Sequence, residues 1–191
     1  MSIAPAREVH WTEEDYLRME ADSAIKHEYV DGEVYAMAGA RSRHNIIAAN
    51  TLVALGGLIR GGSCFAFNSD QRIHVKTPVR FYTYADGGLA CDPWRISEKD
   101  GMSLENPTLL FEVLSPSTRD YDRGAKLFLY QQIASLSSVL LIDQPTRCVE
   151  HHRRDGQSWT RETIREGAVA LLGGQIFVDE LYRVPPGLTD E

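Results

Sequence analysis

The sequence predicts an α/β fold of the α+β kind, with a mixed β-sheet flanked by helices and an N-terminal β-hairpin. Three observations predict it: a hairpin signal near residue 31, buried-strand patterns over 107–115 and 137–143, and helical periodicity before and between them. No repeat, low-complexity segment or linker divides the chain, and 191 residues suit one core. We therefore expect residues 1–191 to form a single domain.

The first elements are a short helix and a hairpin. Thr12 precedes three acidic residues and has the character of an N-cap, so a helix should begin just after it. The Asp31-Gly32 pair separates strand-like runs over 27–30 and 33–38, which is a strong hairpin signal. A helix thus leads into a two-stranded antiparallel unit.

A longer helix should follow, from Ser42 to about Arg60, ended by two glycines. Apolar residues recur along it at helical spacing and should form the buried stripe. The expected stripe consists of Ile46, Ile47, Ala49, Val53, Ala54 and Leu58.

Two strands are expected next, over 63–69 and 71–76. In the second strand, apolar residues alternate with Arg72, His74 and Lys76. Because successive strand residues point to opposite faces, the alternation predicts one buried face and one solvent-exposed, basic face.

In the rest of the chain, the residue pattern predicts a strand interrupted near its centre, a polar loop, and two buried strands with a helix between them. A β-meander with a closing helix or turn should follow. The runs LLFEVL and SVLLID are of the kind found in strands covered on both faces. The expected bounds are 81–91 for the first strand, 92–106 for the loop, 107–115 and 137–143 for the buried strands, and about 117–132 for the helix.

Composition limits the function classes. The net charge of −7 argues against a general nucleic-acid coat protein, which would be basic, but not against an enzyme with a local basic patch and a metal ion. No apolar run approaches the ~20 residues that span a bilayer, and segment 1–15 lacks a signal-peptide core. Cys64, Cys91 and Cys148 are expected to be unpaired thiols, and the cytoplasm is the expected location.

Two acids within apolar surroundings are the first candidates for chemistry. Glu112 interrupts the run over 107–115, and Asp86 lies in the run over 81–91. Two carboxylates brought together in a sheet repel unless a cation lies between them or one is protonated. Mg²⁺ takes one or two carboxylates plus water and substrate phosphate, which suits phosphodiester hydrolysis. The alternative is that each acid is a solvated strand-end residue unrelated to the other.

A lysine on the following helix is the next candidate. Asp122, Lys126 and Tyr130 recur four residues apart and share one helix face. If Lys126 projects back toward the two acids, its ammonium would lie beside an attacking water or a phosphate oxygen. The alternative is an exposed Asp122–Lys126 pair with no role in catalysis.

Other candidates carry weaker signals. Glu28 and Glu33 in the hairpin are explained by turn chemistry as well as by metal binding. His151 and His152 point to opposite faces of a strand, so they cannot chelate one metal together. The residues that could contact phosphate are Arg41, Arg43, His44, Arg72, His74 and Lys76.

Several of these segments together resemble the Uma2 family, a bacterial family of the PD-(D/E)xK restriction-endonuclease-like superfamily. The segments are HEYVDGEVYAMAG, RSRH, SDQRIHV, YTYADGGLACDP, NPTLLFEVLSPSTRDYDRGAKLFLYQ and VLLIDQ. The resemblance runs from about Thr12 to the C-terminal strands. It implies a restriction-endonuclease-like core, a nuclease site that uses Mg²⁺ or Mn²⁺, and nucleic acid (DNA first) as substrate, and it is compatible with a homodimer.

The resemblance also implies roles for individual residues. Asp86 and Glu112 match the family's metal-binding acids, and Glu28 matches a hairpin glutamate that could complete the metal shell. The superfamily lysine usually lies two residues after the second acid, where this chain has Leu114. The family's helical lysine matches Lys126, which is therefore the expected catalytic lysine.

Two departures from the family pattern keep a second function class open. Ala85 replaces a proline, and Gly87-Gly88 stand where β-branched residues are usual. Glycine weakens strand interiors, and catalytic geometry loosened by ~1 Å can cost on the order of 10²-fold in rate. The rival is a non-catalytic module on the same scaffold that binds nucleic acid or a protein partner.

Overall fold

The computed structural model describes residues 10–188, and its elements follow the expected order. The helical elements are α1 (Glu13–Asp22), α2 (Ser42–Leu58), α3 (Arg119–Tyr121), a π-helical turn (Asp122–Lys126), α4 (Leu127–Tyr130) and α5 (Val178–Leu181). The strands are β1 (His27–Val30), β2 (Glu33–Ala36), β3 (Cys64–Asn68), β4 (Arg72–Lys76), β5 (Arg80–Tyr84), β6 (Gly87–Cys91), β7 (Leu109–Leu114), β8 (Ser138–Asp143), β9 (Val149–Asp155), β10 (Ser158–Ile164), β11 (Ala168–Leu171) and β12 (Gly174–Phe177).

The strands form three sheets. A six-stranded sheet has the order β10-β9-β8-β7-β6-β3, a four-stranded sheet has the order β2-β1-β5-β4, and β11 pairs with β12. Strands β7 and β8 are parallel, whereas the other named pairs of the described residues are antiparallel. The expectation of a mixed sheet flanked by helices is confirmed.

The six-stranded sheet separates two cores. On one face, Ile47 and Leu55 of α2 and Leu181 of α5 pack against β7 and β8. On the other face, the four-stranded sheet and α4 pack against alternate residues of β7, including Leu110 and Leu114. Both faces of β7 are therefore buried, as its apolar run predicts.

The N-terminal elements are those expected from their end signals. The Thr12 Oγ1 accepts a hydrogen bond from the Asp15 backbone N–H at 3.1 Å and caps α1. Asp31 and Gly32 have φ of 45° and 107°, the left-handed values that a tight hairpin turn requires. Tyr16 of α1 then packs on the outer face of the hairpin sheet.

The buried face of α2 differs from the expected stripe. Val53 is 77% exposed, and Ala49 is exposed as well. The residues that face the core are four apart, at Ile47, Thr51 and Leu55. Thr51 fits in the core because its hydroxyl donates to the Ile47 carbonyl at 2.8 Å, a bond that hydrophobicity alone does not predict.

The strand expected over 81–91 is two strands in two different sheets. Strand β5 belongs to the four-stranded sheet and β6 to the six-stranded sheet, and the chain crosses between them at Ala85 and Asp86. A Cβ added at Gly87 would lie 2.7 Å from the Phe111 ring, and one at Gly88 would meet the Leu109 carbonyl. The two glycines therefore allow β6 to pack tightly against β7 and do not loosen it.

The expectation that one face of β4 is exposed to solvent is wrong. Arg72 and His74 are buried, and only Lys76 of that face is exposed. The Arg72 guanidinium lies 2.8 Å from Asp100, and the Lys76 ammonium lies 2.6 Å from Glu105. The polar loop covers this face and supplies the acids that pair with it.

The expectation of unpaired cysteines is wrong for two of the three. Cys64 and Cys91 lie directly opposite each other on β3 and β6 and form a disulfide, while Cys148 is a buried free thiol. Strand register brings the pair together, which spacing in the sequence does not show. The disulfide removes the cysteine argument for a reducing compartment.

Across residues 10–188, none of the helices has both the length and the apolar character needed to cross a bilayer. Of the segment 1–15, which lacks a signal-peptide core, residues 1–9 lie outside the described part of the chain.

Candidate active site

A cavity of about 1040 Å³ lies where the four-stranded and six-stranded sheets meet. Among the described residues, the acids that line it are Glu28, Asp86, Glu112 and Asp122. Lys126 lies at its base and is 4% exposed. The structure thus brings together the three residues expected to be catalytic and the hairpin glutamate.

Each side chain is directed to the cavity by its element. Glu112 lies two residues from both Leu110 and Leu114 on β7 and shares their face, so it faces the four-stranded sheet and the helical turns rather than α2. Asp86 lies at the crossover between the sheets, and Glu28 projects from β1. The site is therefore assembled from both sheets.

The Lys126 ammonium joins these parts. Its Nζ lies 2.9 Å from Glu28 Oε1 and 3.0 Å from Glu112 Oε1, and it donates to the Tyr84 carbonyl at 3.1 Å. Asp122 is farther, at 4.0 Å. The alternative of an exposed Asp122–Lys126 pair is wrong, because both side chains are buried.

Asp86 and Glu112 are linked by hydrogen bonds from backbone N–H groups to their side-chain carboxylates. The Asp86 N–H donates to Glu112 Oε2 at 3.3 Å, and the Val113 N–H donates to Asp86 Oδ2 at 2.7 Å. These reciprocal bonds fix the two acids beside each other. The alternative of two unrelated, solvated strand-end acids is wrong, and so is the expectation that the neighbouring glycines release Asp86.

His44 of α2 supports Asp86 from the other side. Its Nε2 lies 3.1 Å from Asp86 Oδ2. Burial opposes the charged imidazole, but the hydrogen bond and the negative charge of Asp86 outweigh it and raise the pKa of His44. His44 is therefore the ion-pair partner of Asp86 in the cavity wall.

The electrostatics of the cavity favour an added cation. Burial raises the pKa of Glu112 to about 8, against the opposing charge of Lys126 and with the charges of Asp86 and Asp122 adding to it. Burial also raises the pKa of Asp122. For Lys126, burial opposes the charge, but the surrounding acids raise its pKa well above the ordinary value. The raised pKa values of Glu112 and Asp122 indicate that Lys126 alone does not offset the burial of these two acids.

The donor set fits a hard divalent cation at two of the acids. In the described part of the chain, no three His, Cys, Asp or Glu side chains form a ready metal cluster. Mg²⁺ and similar ions are held by one or two carboxylates, and water and substrate phosphate complete the shell. Asp86 and Glu112 would supply the two carboxylates. Glu28 and Glu112 both lie beside Lys126, and the second oxygen of Glu28 accepts from the Tyr121 hydroxyl at 2.9 Å. Glu112 differs in that its second oxygen accepts from the Asp86 N–H, which holds it beside the other expected ligand.

The residues expected to contact phosphate divide into two groups. Arg41 and His44 line the cavity, and the Arg43 Nε donates to the carbonyl of Gln144, which also lines it. Arg72 and Lys76 are paired with acids of the polar loop, on the face of the four-stranded sheet that packs against α1. Of the described residues, the cavity walls include neither of these two.

Three supporting side chains were not identified from the sequence. The Tyr130 hydroxyl donates to Glu112 Oε1 at 2.6 Å, and the Thr83 hydroxyl and that of Tyr121 both donate to Glu28. Tyr130 was placed on the correct helix face without a role. Tyr121 lies five residues before Lys126, a spacing that faces the same way only in a π-helical turn.

The chain is similar to known proteins in sequence and in fold. A family model named Uma2 and described as "Putative restriction endonuclease" matches residues 13–182. "Uncharacterized protein slr1290" of Synechocystis sp. is 35% identical over 174 residues, which cover 89% of this chain and 90% of the relative. "Uncharacterized protein sll1609" of the same organism is 31% identical over 145 residues, 76% of this chain and 81% of the relative.

A crystal structure from Anabaena variabilis, described as "a putative nuclease belonging to DUF820", has the same fold. It matches with a TM-score of 0.70 at 16% identity and covers 88% of this chain and 95% of its own chain. At that identity the likeness shows the fold alone. The fold class expected from the sequence is confirmed.

Proposed function

Because the chain belongs to the Uma2 family, as its sequence motifs indicated, we propose that it is a Mg²⁺- or Mn²⁺-dependent endonuclease that hydrolyses phosphodiester bonds in nucleic acid, with DNA as the first substrate to test. The observation that carries the proposal is the Lys126 ammonium, buried between Glu28 and Glu112 at the base of an acid-lined cavity. A buried ammonium among acids is costly to assemble without a chemical role.

In this proposal Asp86 and Glu112 hold the metal ion. A bound divalent cation polarises a phosphoryl oxygen and lowers the pKa of a coordinated water. The backbone bonds from Asp86 to Glu112 and from Val113 to Asp86 orient both carboxylates before substrate arrives.

Lys126 stabilises negative charge that develops on the phosphate. Its raised pKa keeps the ammonium charged, and Glu28, Glu112 and the Tyr84 carbonyl fix its position. Preorganised charge of this kind needs no rearrangement during the reaction. Arg41, at the cavity wall, is the proposed outer phosphate contact.

Cleavage of plasmid and single-stranded DNA with and without Mn²⁺ tests the proposal. We expect Mn²⁺-dependent cleavage that falls by at least about 10²-fold in Glu112→Gln, because the variant loses a metal-binding charge. Urea unfolding of the variant serves as the folding control. Undiminished activity in folded Glu112→Gln would contradict the assignment.

The rival, a non-catalytic module on this scaffold, rested on loosening at Gly87 and Gly88. Their close packing against β7 removes that argument. Calorimetric titration separates the two functions, since a module with a degenerate site would bind neither Mg²⁺ nor Mn²⁺ at millimolar concentration. The single domain over 1–191, the cytoplasmic location and the homodimer stay predictions.

A further inference from the structure

The cavity has a second wall that differs from its acidic base. The segment 35–40, Tyr-Ala-Met-Ala-Gly-Ala, lines it without a single charged side chain, and Pro116 and Pro145 line it as well. Tyr35 is 51% exposed. This apolar wall, defined as 35–40, is continuous with the reactive groups because Tyr35 lies directly opposite Glu28 in the β1–β2 register.

The depth of the reactive groups limits what can reach them. Glu112 and Lys126 are both 4% exposed, and the cavity is the space they share. A phosphodiester must therefore enter the cavity to meet them. Enzymes that act on a base within an enclosed pocket use single strands or extrude the nucleotide from the duplex, which costs unstacking and unpairing, and an unpaired nucleotide enters such a pocket without that cost.

The charge distribution points to the same class of substrate. The chain has a net charge of −7, and four acids line the cavity in the described part of the chain, so attraction along a long phosphate backbone is weak. Proteins that bind unpaired nucleotides obtain much of their affinity from stacking bases on aromatic and apolar side chains. The segment 35–40 offers such a surface beside the acids.

We propose that the substrate of this site is an unpaired nucleotide, in a single strand, loop or strand end, whose base packs on the apolar wall while its phosphate reaches Lys126. This inference rests on the proposed nuclease function for the reaction, but it concerns binding, which can be measured separately. The base would approach Tyr35 and Met37, and the acids would face the scissile phosphate.

Fluorescence anisotropy with one labelled oligonucleotide, as a single strand and as a duplex, tests the proposal on the full chain in Mg²⁺. We expect the single strand to bind at least about 10-fold more tightly, and Tyr35→Ala to weaken that binding by about 5- to 100-fold. Tyr35→Phe should retain most of the affinity because it keeps the ring. Phe65→Ala is the matched control, since Phe65 is also a strand aromatic, is 53% exposed, and does not line the cavity.

The outcomes separate this inference from the proposed function. Equal or tighter binding of the duplex, or equal effects of Tyr35→Ala and Phe65→Ala, would overturn the inference even if the protein cleaves. Preference for the single strand, lost selectively in Tyr35→Ala, supports it even if no cleavage is seen. An RNA strand of the same sequence tells whether the unpaired nucleotide is a ribo- or deoxyribonucleotide, and either preference over duplex supports the inference.

Discussion

The two faces of the four-stranded sheet carry polar clusters with opposite charge balance. On one face, Glu28 of β1 joins the acid cluster, which consists of Glu28, Asp86, Glu112 and Asp122 around Lys126. On the other face, beneath α1 and the polar loop, lies the paired cluster. It consists of Glu13, Asp100 and Glu105 with Arg72, His74, Lys76 and Lys99.

The pKa values of the carboxyl groups are shifted in opposite directions in the two clusters. In the acid cluster, burial raises the pKa of Glu112 and of Asp122. In the paired cluster, burial also acts to raise the pKa of Glu13 and Glu105, but hydrogen bonds and charges from Lys99 and Lys76 outweigh it and lower both. Balanced pairs stabilise a fold, whereas an acid excess at a cavity is poised to receive a cation.

The largest expected effect is that of removing the central ammonium. Lys126→Met should lower the free energy of unfolding by about 3–5 kcal/mol, because it leaves buried carboxylates without a cation. The loss should be larger at alkaline pH, where the acids left behind must take up protons on folding. Urea unfolding measures the stability, and nuclease assays should show cleavage at least about 10²-fold lower.

Lys99→Met in the paired cluster is the matched control. The Lys99 ammonium lies 2.5 Å from Glu13, but its side chain is half exposed, so the cost should be within about 1 kcal/mol. Cleavage should be unchanged. Equal losses of stability in the two variants would mean that the clusters do not differ as their charge balance indicates.

An intermediate effect is expected for an acid of the paired cluster. Glu105→Gln should lower the free energy of unfolding by about 1.5 kcal/mol, because Glu105 accepts from Lys76 at 2.6 Å and lies 3.3 Å from His74. Cleavage should be retained, the reverse of the pattern expected for Glu112→Gln. Loss of cleavage in Glu105→Gln with the fold intact would contradict the proposal that catalysis takes place on the opposite face of the sheet, at the acid cluster.

The smallest effect concerns the pH dependence of stability. Burial lowers the pKa of His74, with Lys99 adding to the shift and Glu105 and Glu13 opposing it. Below about pH 6.5 the unfolded state therefore binds a proton that the folded state does not, and stability should fall as pH falls. Urea unfolding across this range should show a shallower slope in His74→Gln, by about 1 kcal/mol or less at the acidic end. His151 and His152, whose pKa values burial also lowers, contribute equally to both proteins.

The sequence predicted those parts of the site that stand out against the residue pattern of a single strand or helix. Glu112 was identifiable because it interrupts an apolar strand, and Lys126 because helical spacing places it on one face with Asp122 just after that strand. The elements themselves were predictable where end signals were strong, as at Thr12 and Asp31-Gly32. Local chemistry is what a single sequence expresses most directly.

The features that were missed depend on how segments meet in space. The break at Ala85 and Asp86 arises because β5 and β6 join different sheets, which alternation along one strand cannot reveal. Burial of Arg72 and His74 depends on acids supplied by a loop more than twenty residues away. The Cys64–Cys91 bond depends on strand register in the same way.

The π-helical turn makes the chemistry of the site depend on how a segment is wound as well as on its residue types. An α-helix turns by about 100° per residue, so the same five-residue step wound as an ordinary α-helix would place Tyr121 and Lys126 about 140° apart, on different faces. Gly124 and Ala125 lie in this turn, and an added Cβ at Gly124 would meet nothing within 4 Å. A homologue with one residue fewer in this turn would bring the same two side chains to one face as an i,i+4 pair of a regular α-helix. A one-residue gap at this turn therefore goes together with a change of winding, and the site stays assembled in both forms.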